Sequence, residues 1–141
     1  MGITRLLEKI KLICDTHNGK DTFCSPVSPE QLAEWEKKHN AHICPELKEF
    51  YLFTNGMNSR IYFSSFRICP LEKLIFQKGG VFGYDYSKDD MEIGNFMGDG
   101  SVLCIDRNYN FFAAYEGSNI EELSLENLLK SELERLGEEI D

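Results

Sequence analysis

The amino-acid sequence predicts an α+β fold, a single domain in which a central, antiparallel-rich sheet is flanked by N-terminal helices and a C-terminal helix. Two patterns carry this prediction. Apolar residues recur at helical spacing near both ends of the chain, and short aromatic or β-branched runs separated by turn residues lie between them. The composition, 42% apolar and 12% aromatic over 141 residues, is that of a folded domain of ordinary size.

Three helices are predicted in the N-terminal part. The second begins at residues 28–31, Ser-Pro-Glu-Gln, where the serine can cap, the proline suits the first helical position and the glutamine completes a capping box. Pro45 opens the third, and Asn55-Gly56 is expected to close it, since both tolerate the left-handed conformation of a C-cap. The first helix presents an apolar face made of Ile3, Leu6, Leu7, Ile10, Ile13 and Cys14.

The chain then changes character, and about three to five strands are expected. A helical turn is predicted at Pro70–Leu74, and a last helix follows Ser124, with a leucine stripe that Gly137 is expected to end. The predicted strands are Arg60–Phe66, Glu92–Met97, Ser101–Asp106 and Phe111–Tyr115.

Charge is distributed unevenly along the chain, whose formal net charge is −9. Residues 1–84 carry 11 Lys/Arg and 9 Asp/Glu, whereas residues 85–141 carry 4 and 15. Such an acidic half repels phosphate, so nucleic acid and anionic membranes are poor partners. A basic protein is the complementary partner, and an acidic surface that only maintains solubility is the alternative.

The cysteines and the absence of long apolar runs predict a soluble, cytoplasmic protein. No apolar run approaches a membrane span, and no secretory apolar region follows the N-terminal charge. The cysteine number is odd, the spacings are wide and no Cys-x-x-Cys occurs, which favours reduced thiols over a disulfide framework. The five are Cys14, Cys24, Cys44, Cys69 and Cys104.

Several short motifs, in a fixed order, resemble the signature of the SUKH superfamily. This superfamily includes the fungal Smi/Knr cell-wall-synthesis regulators and many bacterial immunity proteins. The motifs are a helix with Trp35-Glu36, the aromatic-rich run Pro45–Tyr51, the Asn55-Gly56 pair, and Ile93-Gly94 followed by the 99–106 strand region. The resemblance covers roughly residues 25–136 of a single domain spanning 1–141. It implies structural roles for Trp35, Glu36, Pro45, Phe50, Tyr51, Asn55, Gly56, Ile93 and Gly94.

Two positions depart from the superfamily pattern. Cys44 replaces the usual leucine before the proline, and Asn40 stands where glycine is often found. Neither departure conflicts with the expected fold.

The resemblance implies a protein-binding module and not an enzyme. Bacterial members neutralise partner toxins, often nucleases, and eukaryotic members occur in regulatory scaffolds. The Trp35-Glu36, Phe50-Tyr51 and 55–57 motifs are also similar to an accessory subunit of the tubulin polyglutamylase complex. Because tubulin tails are acidic, the charge favours an immunity-type protein that binds a basic toxin or nuclease domain. The alternative is a scaffold or accessory subunit of a larger complex, or a cell-wall or signalling regulator.

An enzyme or metalloprotein is the third class considered. A Cys–His nucleophile pair has no flanking signature. Asp106–Asn110 resembles the start of a calcium loop, but Phe111 stands at the glycine position, so a polar turn is favoured. No catalytic residue, metal or cofactor is predicted. The residues with zinc-ligand chemistry, which lack the familiar paired spacings, are Cys14, His17, Cys24, His39, His42 and Cys44.

The predicted partner-binding surface is an acidic, turn-rich segment with aromatic neighbours. Aromatic side chains rimmed by charge suit an interface anchor. A mobile, solvated loop is the alternative interpretation. The residues assigned to this surface are Phe82, Tyr84, Asp85, Tyr86, Asp89, Asp90, Glu92 and Asp99.

Overall fold

The computed structural model describes residues 2–16, 23–58, 66–76, 91–96, 102–106, 108–115 and 118–140. Helices and one antiparallel sheet share a single core among these residues, which confirms the α+β prediction. The helices are α1 (Ile3–Thr16), α2 (Pro29–His39), α3 (Pro45–Phe53) and α4 (Leu125–Ile140). The strands are β1 (Met57–Asn58), β2 (Phe66–Ile68), β3 (Ile75–Phe76), β4 (Met91–Phe96), β5 (Val102–Ile105), β6 (Phe111–Tyr115) and β7 (Ser118–Leu123).

The sheet orders its strands β1-β2-β4-β5-β6-β7, and β3 also pairs with β4. Every pairing is antiparallel. Strand β4 pairs with β2 at one end and with β3 at the other, so the two short strands share one of its edges. All four residues of β5 are buried, as expected for a strand that lies between two neighbours and under the helices.

The core forms where α1, α3 and α4 pack against one another and against the sheet. The apolar face predicted for α1 is buried at every position except Ile13, which is half-buried. Each of these helices therefore derives its stability mainly from the apolar stripe that it buries. The fully buried larger side chains are Leu6, Leu7, Ile10, Leu47, Phe50, Tyr51, Met57, Ile68, Ile93, Leu103 and Leu125.

Local signals placed the start of α2 correctly. The Ser28 hydroxyl accepts the Gln31 N–H at 3.1 Å, and the Gln31 side chain accepts the Ser28 N–H at 2.8 Å. The helix ends at Asn40, which adopts a left-handed conformation with φ 49°. Glycine and asparagine are the residues that adopt this conformation most readily, so Asn40 suits the position.

Three expectations need correction. Helix α3 ends before Asn55-Gly56, because Thr54 is its extended C-cap and Gly56 alone of this pair has a positive φ, 101°. Helix α4 continues through Gly137 to Ile140, since a lone glycine costs a helix only about 1 kcal/mol and does not end it. Among the described residues the sheet has seven strands, where about three to five were expected, and β1 and β3 have only 2 residues each. The strand predicted at 60–66 lies outside the described residues except for Phe66, which begins β2, so it stays a prediction.

The other predicted elements are present, with ends that shift by a residue or so. Strands β4 and β5 occupy the predicted 92–97 and 101–106 stretches, β6 has its predicted bounds, and a single 3-10 turn spans Leu71–Lys73. No helix of the described segments is both long and apolar enough to cross a bilayer.

Candidate interaction surface

Glu36 links the end of α2 to the start of α3. One of its carboxylate oxygens accepts the Ile43 N–H at 2.9 Å, and the other lies 3.1 Å from the Lys48 ammonium. The His42 imidazole lies 3.5 Å from the same carboxylate. Burial alone would raise the pKa of Glu36, but the Ile43 hydrogen bond and Lys48 outweigh it and hold that pKa below its ordinary value. Glu36 is therefore a charged brace for the α2–α3 connection.

Two glutamates on α3 accept hydrogen bonds from the first turns of α1 and α4. Glu46 accepts the backbone N–H of Leu125, the first residue of α4, at 3.1 Å. Glu49 accepts both the N–H and the hydroxyl of Thr4, in the first turn of α1, at 2.8 and 2.9 Å. The first N–H groups of a helix have no hydrogen-bond partner within the helix. A carboxylate placed there accepts such a bond and also interacts favourably with the positive end of the helix dipole. Helix α3 thus supplies hydrogen-bond acceptors to the first turns of both α1 and α4.

The Thr54–Gly56 segment joins the end of α3 to the 3-10 turn. The buried Thr54 hydroxyl accepts the Cys24 N–H at 2.9 Å and donates to the Gly56 carbonyl at 2.7 Å. The Asn55 amide accepts the Leu71 N–H at 2.7 Å. These bonds satisfy backbone groups in three separate stretches of chain, so this motif determines local geometry.

The other family-motif residues lie in the core or at its edge. Trp35 is buried with its ring centroid 4.5 Å from that of His39. The Tyr51 hydroxyl donates to the Cys69 carbonyl at 2.7 Å. Pro45 is the first residue of α3, Phe50 and Ile93 are fully buried, and a Cβ at Gly94 would overlap the Arg67 carbonyl oxygen of β2.

The extended segment at residues 23–27 is held along α3. The Val27 N–H donates to the Tyr51 carbonyl at 2.8 Å, and the Asn55 N–H donates to the Ser25 carbonyl at 3.1 Å. Phe23 makes an isolated bridge with Met57, and its ring meets that of Phe53 edge-on at 5.8 Å. This segment therefore forms one wall of the surface beside α1.

An open, mainly apolar groove of about 570 Å³ lies between α1 and α3. Leu12 and Leu52 line it and are 68% and 43% exposed, although both sit on helices whose other faces are buried. At its rim the Lys11 ammonium pairs with Asp15 at 2.7 Å. The groove is lined by Glu8, Lys11, Leu12, Asp15, Phe23, Cys24, Pro26, Leu52 and Phe53.

Sequence reasoning missed this groove, although a signal was present. Leu12 and Leu52 fall outside the apolar stripes of their helices, so neither is needed to explain how α1 or α3 packs. Large apolar residues that are off the core face and close together are typical of interaction surfaces.

A family model for the SMI1 / KNR4 family (SUKH-1) matches residues 26–126. The chain belongs to the SUKH-1 family. Among curated proteins, none matches the chain. Helix α1 and the residues Phe23 and Cys24 precede the matched stretch, so the groove of this SUKH-1 protein is built partly from residues beyond the family match.

Most of the predicted partner-binding residues of this SUKH-1 domain lie outside the described residues. They are Phe82, Tyr84, Asp85, Tyr86, Asp89, Asp90 and Asp99. Glu92 is the exception. It is half-buried on β4, where it is opposite Cys104 on β5 and Ile75 on β3. The predicted partner-binding surface therefore stays a prediction.

The candidate metal ligands are dispersed in the SUKH-1 fold. His42 lies beside Glu36, Cys14 and Cys44 are buried in the core, and Cys24 is exposed at the groove. Among the described residues, which exclude His17, no three His, Cys, Asp or Glu side chains are grouped as a metal site. Burial raises the pKa of the Cys44 thiol, which keeps it protonated and works against a nucleophilic role.

The Asp106 carboxylate is engaged in a polar turn. One of its oxygens accepts the N–H groups of Asn108 and Asn110 at 2.8 and 3.0 Å, and the other accepts the Asn110 amide at 3.3 Å. Tyr109 completes the turn with φ 66°. Such local bonding is the arrangement of an Asx turn between two strands.

Proposed function

We propose that this SUKH-1 protein is a non-catalytic, cytoplasmic binding module of the immunity type, which binds a basic toxin or nuclease domain and neutralises it. Family membership is consistent with an immunity-type or regulatory module. The observation that carries the choice of a basic partner is that the chain after residue 84 has 15 acidic and 4 basic residues. Opposed charges raise the encounter rate and discriminate against wrong partners.

The roles of the family-motif carboxylates support a binding function. Glu36, Glu46 and Glu49 all accept backbone N–H groups and hold helices in place. A carboxylate committed to such bonds stabilises the scaffold and is poorly placed to exchange protons with a substrate. We therefore expect recognition to depend on other side chains, and the predicted partner-binding residues between 82 and 99 are the candidates.

The test is capture of the tagged protein from its native host, with two charge-reversal variants run in parallel. One variant replaces Asp89 and Asp90 with lysine, and the control replaces Glu30 and Glu34, which are exposed on α2, with lysine. Both change the net charge equally. Glu92 is left intact because it is half-buried between two strands and its reversal would disturb the sheet.

The proposal predicts one stoichiometric basic partner that the wild type and the α2 control retain and the Asp89/Asp90 variant loses. Equal retention by both variants would remove the 82–99 segment from the proposal. Recovery of a tubulin-modifying ligase or a signalling assembly would instead favour a scaffold or accessory subunit, the alternative that the Trp35-Glu36 and Phe50-Tyr51 motifs raise.

A further inference from the structure

We infer that the groove between α1 and α3 receives an amphipathic helix from a basic protein. The inference rests on the proposed function in one respect, the basic character of the partner. Its starting point is that Leu12 and Leu52 expose 68% and 43% of their surface in the described structure. Exposed apolar side chains on two neighbouring helices form a hydrophobic groove, and the apolar face of a partner's helix can bind in such a groove.

The dimensions of the groove suit a helix. Glu8 and Asp15 are the first and last residues of α1 that line it, seven residues apart, which corresponds to about 10 Å or two helical turns. A helix docked over that distance offers anchors at positions i, i+3 or i+4, and i+7. Leu12 from one side and Leu52 from the other can each contact such an anchor.

The charges at the rim select a basic helix. Among the described residues that line the groove, Glu8 and Asp15 are acidic and Lys11 is basic; Lys11 pairs with Asp15 at 2.7 Å, so the rim keeps the net negative charge of Glu8. Lysine or arginine residues flanking the apolar stripe of an incoming helix would complement this rim.

A second copy of the chain fits the groove less well. In a symmetric dimer the same patch faces itself, so the Glu8 and Asp15 carboxylates of the two copies would approach each other. Each copy also carries a formal net charge of −9, which opposes association.

The groove is also a place where this protein can differ from other SUKH-1 proteins. Helix α1 lies outside the family match, whereas Leu52 and Phe53 of α3 lie inside it. Substitutions in α1 can therefore change the specificity of the groove without changing the part of the fold that the family model matches.

The experiment uses the full chain and a synthetic helical peptide of about 18 residues with leucines at i, i+3, i+4 and i+7 spacing and lysines elsewhere. A twin peptide carries glutamate in place of lysine. Binding is measured by fluorescence anisotropy and located by backbone chemical-shift mapping. The test variant is Leu12→Asn/Leu52→Asn, which leaves the charge unchanged. Tyr109→Asn is the control, because Tyr109 is also 43% exposed but lies outside the groove.

We expect the lysine peptide to bind at the groove, the double variant to weaken it by about tenfold or more, and Tyr109→Asn to leave it unchanged. We also expect the glutamate twin to bind more weakly. Failure of the lysine peptide to bind, equal binding by the double variant, or equal binding of the twin would each overturn the inference. Self-association that the double variant abolishes would assign the groove to a second copy instead.

These peptide results do not depend on the native partner. A failed capture from the host would therefore count against the proposed function alone, and a failed peptide experiment against the groove alone.

Discussion

The carboxylate of Glu46 accepts a hydrogen bond from the backbone N–H of Leu125 at 3.1 Å, which ties the third helix to the fourth across 79 residues of sequence. Glu49, one turn further along α3, makes the equivalent contact with Thr4 of α1. One short helix thus supplies acceptors to the N-termini of two others. Its length, 9 residues, is too short for independent stability, so α3 and its neighbours stabilise one another.

Removing the Glu46 cap is expected to destabilise the fold. Glu46→Ala takes away the acceptor of the Leu125 N–H, and loss of an N-terminal cap costs about 1 kcal/mol, in a range of about 0.5–2. Glu46→Gln keeps a carbonyl oxygen in place and should cost less. Urea unfolding followed by circular dichroism measures both. Glu34→Ala, at an exposed position on α2, is the matched control, and an equal loss in that control would contradict the capping role.

The Glu36 brace predicts a specific pH dependence. Because the pKa of Glu36 is lower in the folded state, its contribution to stability is present above the ordinary carboxyl pKa of about 4.3 and is lost as the pH falls through the lower folded value. Glu36→Gln should therefore destabilise the protein by about 1 kcal/mol at neutral pH, and the difference from wild type should shrink below about pH 4. The free energies of unfolding of the wild type and of Glu36→Gln are measured by denaturant titration at neutral pH and below about pH 4. A difference that does not change with pH would show that the charge of Glu36 has no part in the brace.

Gly94 is expected to tolerate no side chain. A Cβ there would overlap the carbonyl oxygen of Arg67 on the neighbouring strand, and a backbone atom held in a sheet cannot move aside. We expect Gly94→Ala to lower the free energy of unfolding by about 3 kcal/mol. Gly2→Ala is the control, since the nearest atom to its Cβ would be 4.0 Å away. The melting temperatures of the two variants are measured by thermal unfolding, and Gly94→Ala should melt at the lower temperature. Similar melting temperatures would refute the close approach of the two strands.

Much of the helical framework could be predicted because its signals are local. The Ser28 capping box and the apolar stripe of α1 each depend on residues within a few positions of one another. The contacts of Glu46 and Glu49 could not be predicted in this way. Their partners are 79 and 45 residues away in sequence, and the local pattern does not indicate them.

The missed strands have a different physical cause. Strands β1 and β3 have 2 residues each, too few for an alternation to be recognised. Strand β7 has the largely polar sequence Ser-Asn-Ile-Glu-Glu-Leu, which lacks the apolar alternation that marks a strand, and its pairing with β6 could not be recognised from the sequence. The groove was missed because it depends on how α1 and α3 pack, although Leu12 and Leu52 off the core stripes were a readable sign of it.

We propose that the acidic part of the chain after residue 84 recruits a basic protein. The most direct test is the association rate of the purified chain with its captured partner, measured by stopped-flow fluorescence from about 20 mM to about 500 mM salt. We expect the rate to fall by about tenfold or more over this range, because salt screens the attraction between opposite charges. A rate that does not depend on salt, or one that rises with it, would rule out recruitment by charge.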